Sequence, residues 1–186
     1  MQILETGLIE AHGIRSVGIA GHPEGSPDIP DADLARALAW KNEYARSSTA
    51  DFHIVTQFCF SAPPIIAWEK SIRAAGNSIP IHLGIPGLAT LKTLINHAKA
   101  CGVGPSMKVL TKQAINARKL MSMGTPDTLL ADLAAHVLSE PDCSIARLHY
   151  YPLGAWRKSA KWAAFVASGR FEMGIEKSGF SINGEI

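Results

Sequence analysis

Four short, mainly apolar runs punctuate the chain: "IRSVGIA" (14–20), "FHIVTQF" (52–58), "IPIHLGI" (79–85) and "SIARLHYY" (144–151). Each is strand-length, and each is separated from the next by segments that read as helices. Residues 2–12 place Ile3, Leu4, Leu8 and Ile9 at helical spacing and meet a stop at Gly13. Asp31 or Asp33 suits the cap of "ADLARALAWKNEYAR" (32–46), and Pro63 and Pro64 suit the first turn of a helix running through "IIAWEKSIRAA" to Gly76. "LATLKTLINHAKA" (88–100) is the next helix, followed by helices near 106–121 and 126–139, the latter capped at Thr125 with Pro126 behind it. "AWRKSAKWAAFVAS" (155–168) closes the series near Gly169, and the tail from Arg170 carries no clear pattern. Alternation of this kind predicts an α/β fold of βαβ units with about four parallel strands and flanking helices, one domain over 1–186.

In parallel α/β folds ligands sit at the carboxyl ends of the strands. Gln57 lies near such an end, and its amide carries two donors and an acceptor. Burying that amide unpaired costs about 1–3 kcal/mol. At a strand end it either grips the mixed edge of a heterocycle or caps a loop backbone. The glycines of "GHPEG" and "GIPG" admit close approach of a ligand or simply make turns, and neither stretch is a GxGxxG fingerprint or a P-loop. Lys41 and Arg46 share a helix and suit a phosphate or a solvated face. The seven histidines include no HExxH and no local ligand spacing, so no metal site is read from them.

Composition narrows the function classes. Net charge is +2 with no basic stripe, which argues against nucleic-acid binding. No apolar run approaches the ~20 residues of a membrane span. "MQILETGLIEAHG" has no basic n-region and does not read as a signal peptide. Cys59, Cys101 and Cys143 form neither a CxxC pair nor a disulfide framework, so the expected compartment is the cytoplasm.

The ordered set "GIAGHPEGSP", "LARALAWKNEYA", "DFHIVTQFCF" and "IPIHLGIPG" resembles the flavoprotein family of 5,10-methylenetetrahydrofolate reductases. The family pattern is a Tyr-Pro-Glu-x-His-Pro loop, a helix with Leu-x-x-Lys, an Ile-Thr-Gln-Phe-x-Phe strand and a Pro-Gly-Ile strand. The likeness runs from about residue 11 to 100 and continues more weakly to "LHYYPLG". It implies part of a (β/α)₈ TIM barrel that binds FAD at its strand ends. It also implies hydride transfer from NAD(P)H to FAD and on to methylenetetrahydrofolate, giving methyltetrahydrofolate for one-carbon metabolism and methionine biosynthesis. By the same resemblance Gln57 contacts the folate pterin and shares its place with the nicotinamide. Lys41 lies on the phosphate-side arm of FAD, His22 replaces a tyrosine beside the flavin, and Ser26 replaces a histidine of that loop.

The chain also departs from the pattern. Gly154 and Ala155 stand where the family has Asn-Arg, an arginine that helps hold the folate, with Trp156 and Arg157 close by; His97 occupies an often aromatic position. A full barrel has eight strands in ~250 residues, and the resemblance begins around the fifth. The expectation is therefore the C-terminal half of a barrel, with the catalytic acid in the other half. Two alternatives remain: a non-enzymatic half-barrel or accessory subunit that needs a partner, and a flavin-free barrel enzyme acting on a phosphorylated metabolite. Open sheet edges and half-exposed apolar residues of 14–20 and 52–58 would favour a homo-oligomer.

Overall fold

A computed structural model describes residues 2–100, 123–174 and 179–185. The helix expected near 106–121, and Cys101, lie outside the described residues. The N-terminal helix is two single turns, α1 (Gln2–Glu5) and α2 (Leu8–Ala11). Gly7 breaks it by taking a left-handed φ of 71°, which glycine adopts without the Cβ penalty. Then follow β1 (Ser16–Gly21), α3 (Asp31–Ser47), β2 (Asp51–Thr56), α4 (Ala62–Ala74) and β3 (Ile81–Pro86). Next come β4 (Ala89–Thr90), α5 (Leu91–Ala100), β5 (Met123–Gly124), α6 (Asp127–Ser139), β6 (Ile145–Tyr151) and α7 (Trp156–Ala167).

The expected caps are corrected at two helices. α3 starts after Pro30, so Asp31 and Asp33 lie inside its first turn, where carboxylates complement the helix dipole. Thr125 does not cap α6; its hydroxyl bonds the Asp127 carboxylate, and Pro126 holds the cap position. The unassigned tail forms an antiparallel pair, β7 (Phe171–Met173) with β8 (Phe180–Ile182). It docks on α7, where Phe180 stacks on Trp162 at 5.8 Å.

The main sheet has four parallel strands in the order β1-β2-β3-β6, flanked by helices, as the alternation implies. This arrangement is consistent with a partial TIM barrel. No helix among the described residues is long and apolar enough to cross a membrane.

Strand periodicity assigns the two faces. Val17, Ile19, Phe52, Ile54, Ile81, Leu83 and Ile85 point to the helix layer and pack with Ile65, Leu133 and Trp162. The opposite face carries Ser16, Gly18, Ala20, His53, Val55, His82, Gly84, Arg147, His149 and Tyr151. The expected half-exposure of the first two runs holds in part: Val17, Ile19, Phe52 and Ile54 are turned under the helices, while Ile14 is exposed and Val55 lies on the open face among small and polar side chains. His53 and His82 stack there at 4.1 Å.

One irregularity sets the phase of β6. Ile81 pairs with Ile145, but His82 pairs with Arg147, so Ala146 is bulged out of the ladder. The bulge puts Leu148 and Tyr150 on the helix side, and Arg147, His149 and Tyr151 on the open side.

Candidate functional site at the carboxyl ends of the strands

The carboxyl ends of β1, β2, β3 and β6 converge on the segment after Thr56. Gln57 donates its backbone N–H to Gly21 O (3.1 Å) and Cys59 donates to Gly84 O (3.2 Å). The Thr56 hydroxyl donates to Gln57 O (2.8 Å) and accepts from Gly84 N–H (2.8 Å). Tyr151 reaches across and donates its hydroxyl to Thr56 O (2.9 Å). Three neighbouring strands therefore fix the backbone that carries Gln57.

Gly84 makes this closeness possible. A Cβ there would lie 2.5 Å from Thr56 O, 2.6 Å from Gln57 O and 2.8 Å from the Tyr151 ring. Phe58 packs edge-on against Phe60 and Tyr151, both at 5.6 Å, and forms an apolar wall beside the site.

With its backbone held, the Gln57 side chain is half-buried, and its Nε2 is enclosed without a hydrogen-bond partner among the described residues. Buried polar groups are nearly always paired, and leaving one unpaired costs about 1–3 kcal/mol.

The loop after β1 forms the second part of the site. His22 and Lys41 come together across it: burial lowers the His22 pKa and the Lys41 charge lowers it further, while burial lowers Lys41. Lys41 has no ion pair among the described residues, whereas Arg46 is taken by Glu43. The structure thus separates Lys41 from Arg46, and Arg36 on the same helix is taken by Asp33. A cleft of about 510 Å³ opens beside the loop, lined by His22, Glu24, Leu38, Trp68 and Ser71 among others. Ser26 lies half-buried in the same loop, with its hydroxyl accepting the Asp28 N–H at 3.3 Å.

Two residues were not singled out from the sequence. Glu24 accepts a hydrogen bond from the Cys59 thiol, whose pKa is raised by burial and then by the Glu24 charge. Tyr151 is the tyrosine of β6 whose hydroxyl reaches the site. The Tyr150 ring instead faces Trp162 at 6.1 Å, and burial pushes its pKa up to about 12. Of the Asn-Arg positions, Gly154 takes a left-handed φ of 95°, and Leu153 just before it takes φ 43°. Trp156 and Arg157 follow, exposed at the start of α7, and His97 is exposed on α5.

Because the folded pKa of His22 lies below its unfolded value, the folded state resists protonation there. Its neutral form carries no penalty above about pH 6.5, the unfolded value. As pH falls below that, the unfolded chain binds the proton first and stability drops. His22→Gln is expected to lessen the fall in melting temperature between pH 7 and pH 5; an unchanged acid slope would contradict the assignment.

Comparison with curated proteins finds partial relatives. Over 88 residues the chain is 40% identical to methylenetetrahydrofolate reductase 1 of Schizosaccharomyces pombe, a stretch amounting to 47% of this chain and 14% of that protein. It is 31% identical over 84 residues to methylenetetrahydrofolate reductase 2 of Saccharomyces cerevisiae, 45% of this chain and 14% of the relative. The similarity supports a relationship to methylenetetrahydrofolate reductases. No protein-family model matches the chain. The aligned stretches cover about one seventh of either relative's length.

Proposed function

We propose that the chain supplies the ligand-binding strand ends of a flavin-dependent methylenetetrahydrofolate reductase, an oxidoreductase of one-carbon metabolism. The observation that carries this reading is Gln57. Its half-buried amide at the sheet's carboxyl end, with Nε2 enclosed and without a partner among the described residues, offers donors and an acceptor, the chemistry that a pterin edge or a nicotinamide carboxamide complements.

The residues present fit FAD. The cleft beside the first loop has room for part of a dinucleotide, and Lys41 is a cation without a carboxylate partner among the described residues. His22, Ser26 and Lys41 would hold the cofactor on this side. When bound, FAD would supply the hydride-transfer chemistry between NAD(P)H and the folate. Gln57 then orients whichever heterocycle occupies the open side of Thr56, and Phe58, Phe60 and Tyr151 shield it from water.

Titration of the chain with FAD, followed by flavin fluorescence, tests the proposal. Saturable binding that weakens in Lys41→Ala is the expected result; no binding would refute it. Gln57→Ala is expected to leave the melting temperature within error and to weaken folate binding by about 0.5–1.5 kcal/mol for each hydrogen bond lost. Unchanged folate affinity with a collapsed melting point would make Gln57 a structural residue.

A second reading rests on the sheet itself. Among the described residues β1 and β6 are edge strands with one unpaired side each. Such edges accept further strands, so the chain also suits a half-barrel that binds a partner or a second copy. Gel filtration of the chain distinguishes a monomer from such an assembly.

A further inference from the structure

At the opposite end of the sheet from Gln57, three metal-ligating side chains converge from distant parts of the sequence. Glu69 lies on α4, His136 on α6, and Cys143 in the loop that enters β6. One ligand atom from each lies within 4.8 Å of the others, the one such group among the described residues. Glu69 is fully buried and His136 is 7% exposed, while Cys143 is half-buried. We propose that Glu69, His136 and Cys143 form a binding site for a divalent cation of the zinc class, stapling α4 and α6 to the start of β6.

The two oxygens of Glu69 are divided between tasks. Oε1 accepts the backbone N–H of Ser144 at 3.0 Å and lies 3.1 Å from Arg73 Nε. Oε2 faces His136 Nε2 at 3.4 Å. A carboxylate anchored through one oxygen and aimed with the other is the arrangement seen where outer hydrogen bonds orient a metal ligand. Around a tetrahedral centre with bonds of about 2.0–2.3 Å, ligand atoms stand roughly 3.3–3.7 Å apart. The Glu69–His136 separation already meets that spacing. Cys143 Sγ lies within 4.8 Å of both, so it must draw closer to complete the set.

The donor set selects the metal. A thiolate with an imidazole suits zinc over magnesium or calcium, which prefer all-oxygen sites. Charge closes as well. The thiol loses its proton to solvent on binding, and Glu69 and the Cys143 thiolate together match two positive charges. Arg73 keeps Glu140, whose Oε2 lies 3.3 Å from its Nη2. Lys70, the other partner of Glu140 at 2.7 Å, is half exposed and solvated. Three protein ligands leave a fourth position for water.

Cobalt(II) is the probe. The 186-residue chain, stripped with chelator, is titrated with Co²⁺ and then with competing Zn²⁺. One equivalent should bind with a thiolate-to-cobalt charge-transfer band that Zn²⁺ displaces. Cys143→Ser should abolish the band and weaken Zn²⁺ binding by at least about tenfold. Cys59→Ser should leave both unchanged. Zn²⁺ should also raise the melting temperature of the wild-type chain and not that of Cys143→Ser. Absence of the band, or a band that persists in Cys143→Ser, would overturn the site and leave a hydrogen-bonded Glu–His cluster beside a thiol.

Discussion

Glu69→Ala is expected to cost the fold about 3 kcal/mol with metal excluded by chelator, among the largest effects of any single change outside the apolar core. Glu69 is fully buried, and three neighbours depend on its carboxyl group. Removing it strands the Ser144 N–H, leaves His136 without its partner and takes one of two carboxylates from Arg73. The value sits at the low end of the range for broken buried pairs because Glu140 still faces Arg73. Glu69→Gln keeps a polar group for Ser144 and His136 and should lose distinctly less. Urea unfolding of both variants decides it. If Glu69→Ala unfolds within 1 kcal/mol of the parent, on the order of an ordinary surface change, the network contributes little to the junction of α4, α6 and β6.

Gly84→Ala is expected to cost about 3 kcal/mol and to impair ligand binding at the same time. The added methyl would press on two backbone carbonyl oxygens, Thr56 O and Gln57 O, and on the Tyr151 ring. A flexible side chain can swing aside, but a carbonyl held in a sheet cannot. The end of β2 must therefore shift away from β3, carrying Gln57 with it. Gly18→Ala is the matched control on the same face, where the new Cβ would meet the His53 ring at 3.1 Å and a Val55 methyl at 3.3 Å. These are side-chain atoms beside an open face, and the cost should stay under about 1 kcal/mol. Thermal melts and FAD titration of the two variants make the comparison; equal effects would show that the strand end yields freely.

Much of the architecture follows from local sequence. Strand-length apolar runs alternating with capped helical segments leave few options besides parallel βαβ units, because each run needs helices to cover it. That pattern also places Gln57 just past the end of β2, at the rim where such folds bind ligands. The "GHPEG" loop, with His22 and Ser26, and the helix carrying Lys41 are legible in the same way, since glycine, proline and helix periodicity act over a few residues.

Only the tertiary structure settled how these pieces face one another. The bulge at Ala146 reverses the phase of β6, so that Tyr151 meets Thr56 while Tyr150 is turned to Trp162. No local pattern in "SIARLHYY" announces that extra residue. The sequence puts Gln57 at a strand end, but only the strand packing encloses its Nε2, which has no hydrogen-bond partner among the described residues. Lys41 and Arg46 are alike as residues, and it is the His22 loop on one side and Glu43 on the other that separates them. Glu69 and His136 are 67 residues apart, and the docking of α6 on α4 brings them to 3.4 Å. In each case a short-range preference chose the element, while burial and hydrogen-bond pairing across distant segments chose which side chain does what.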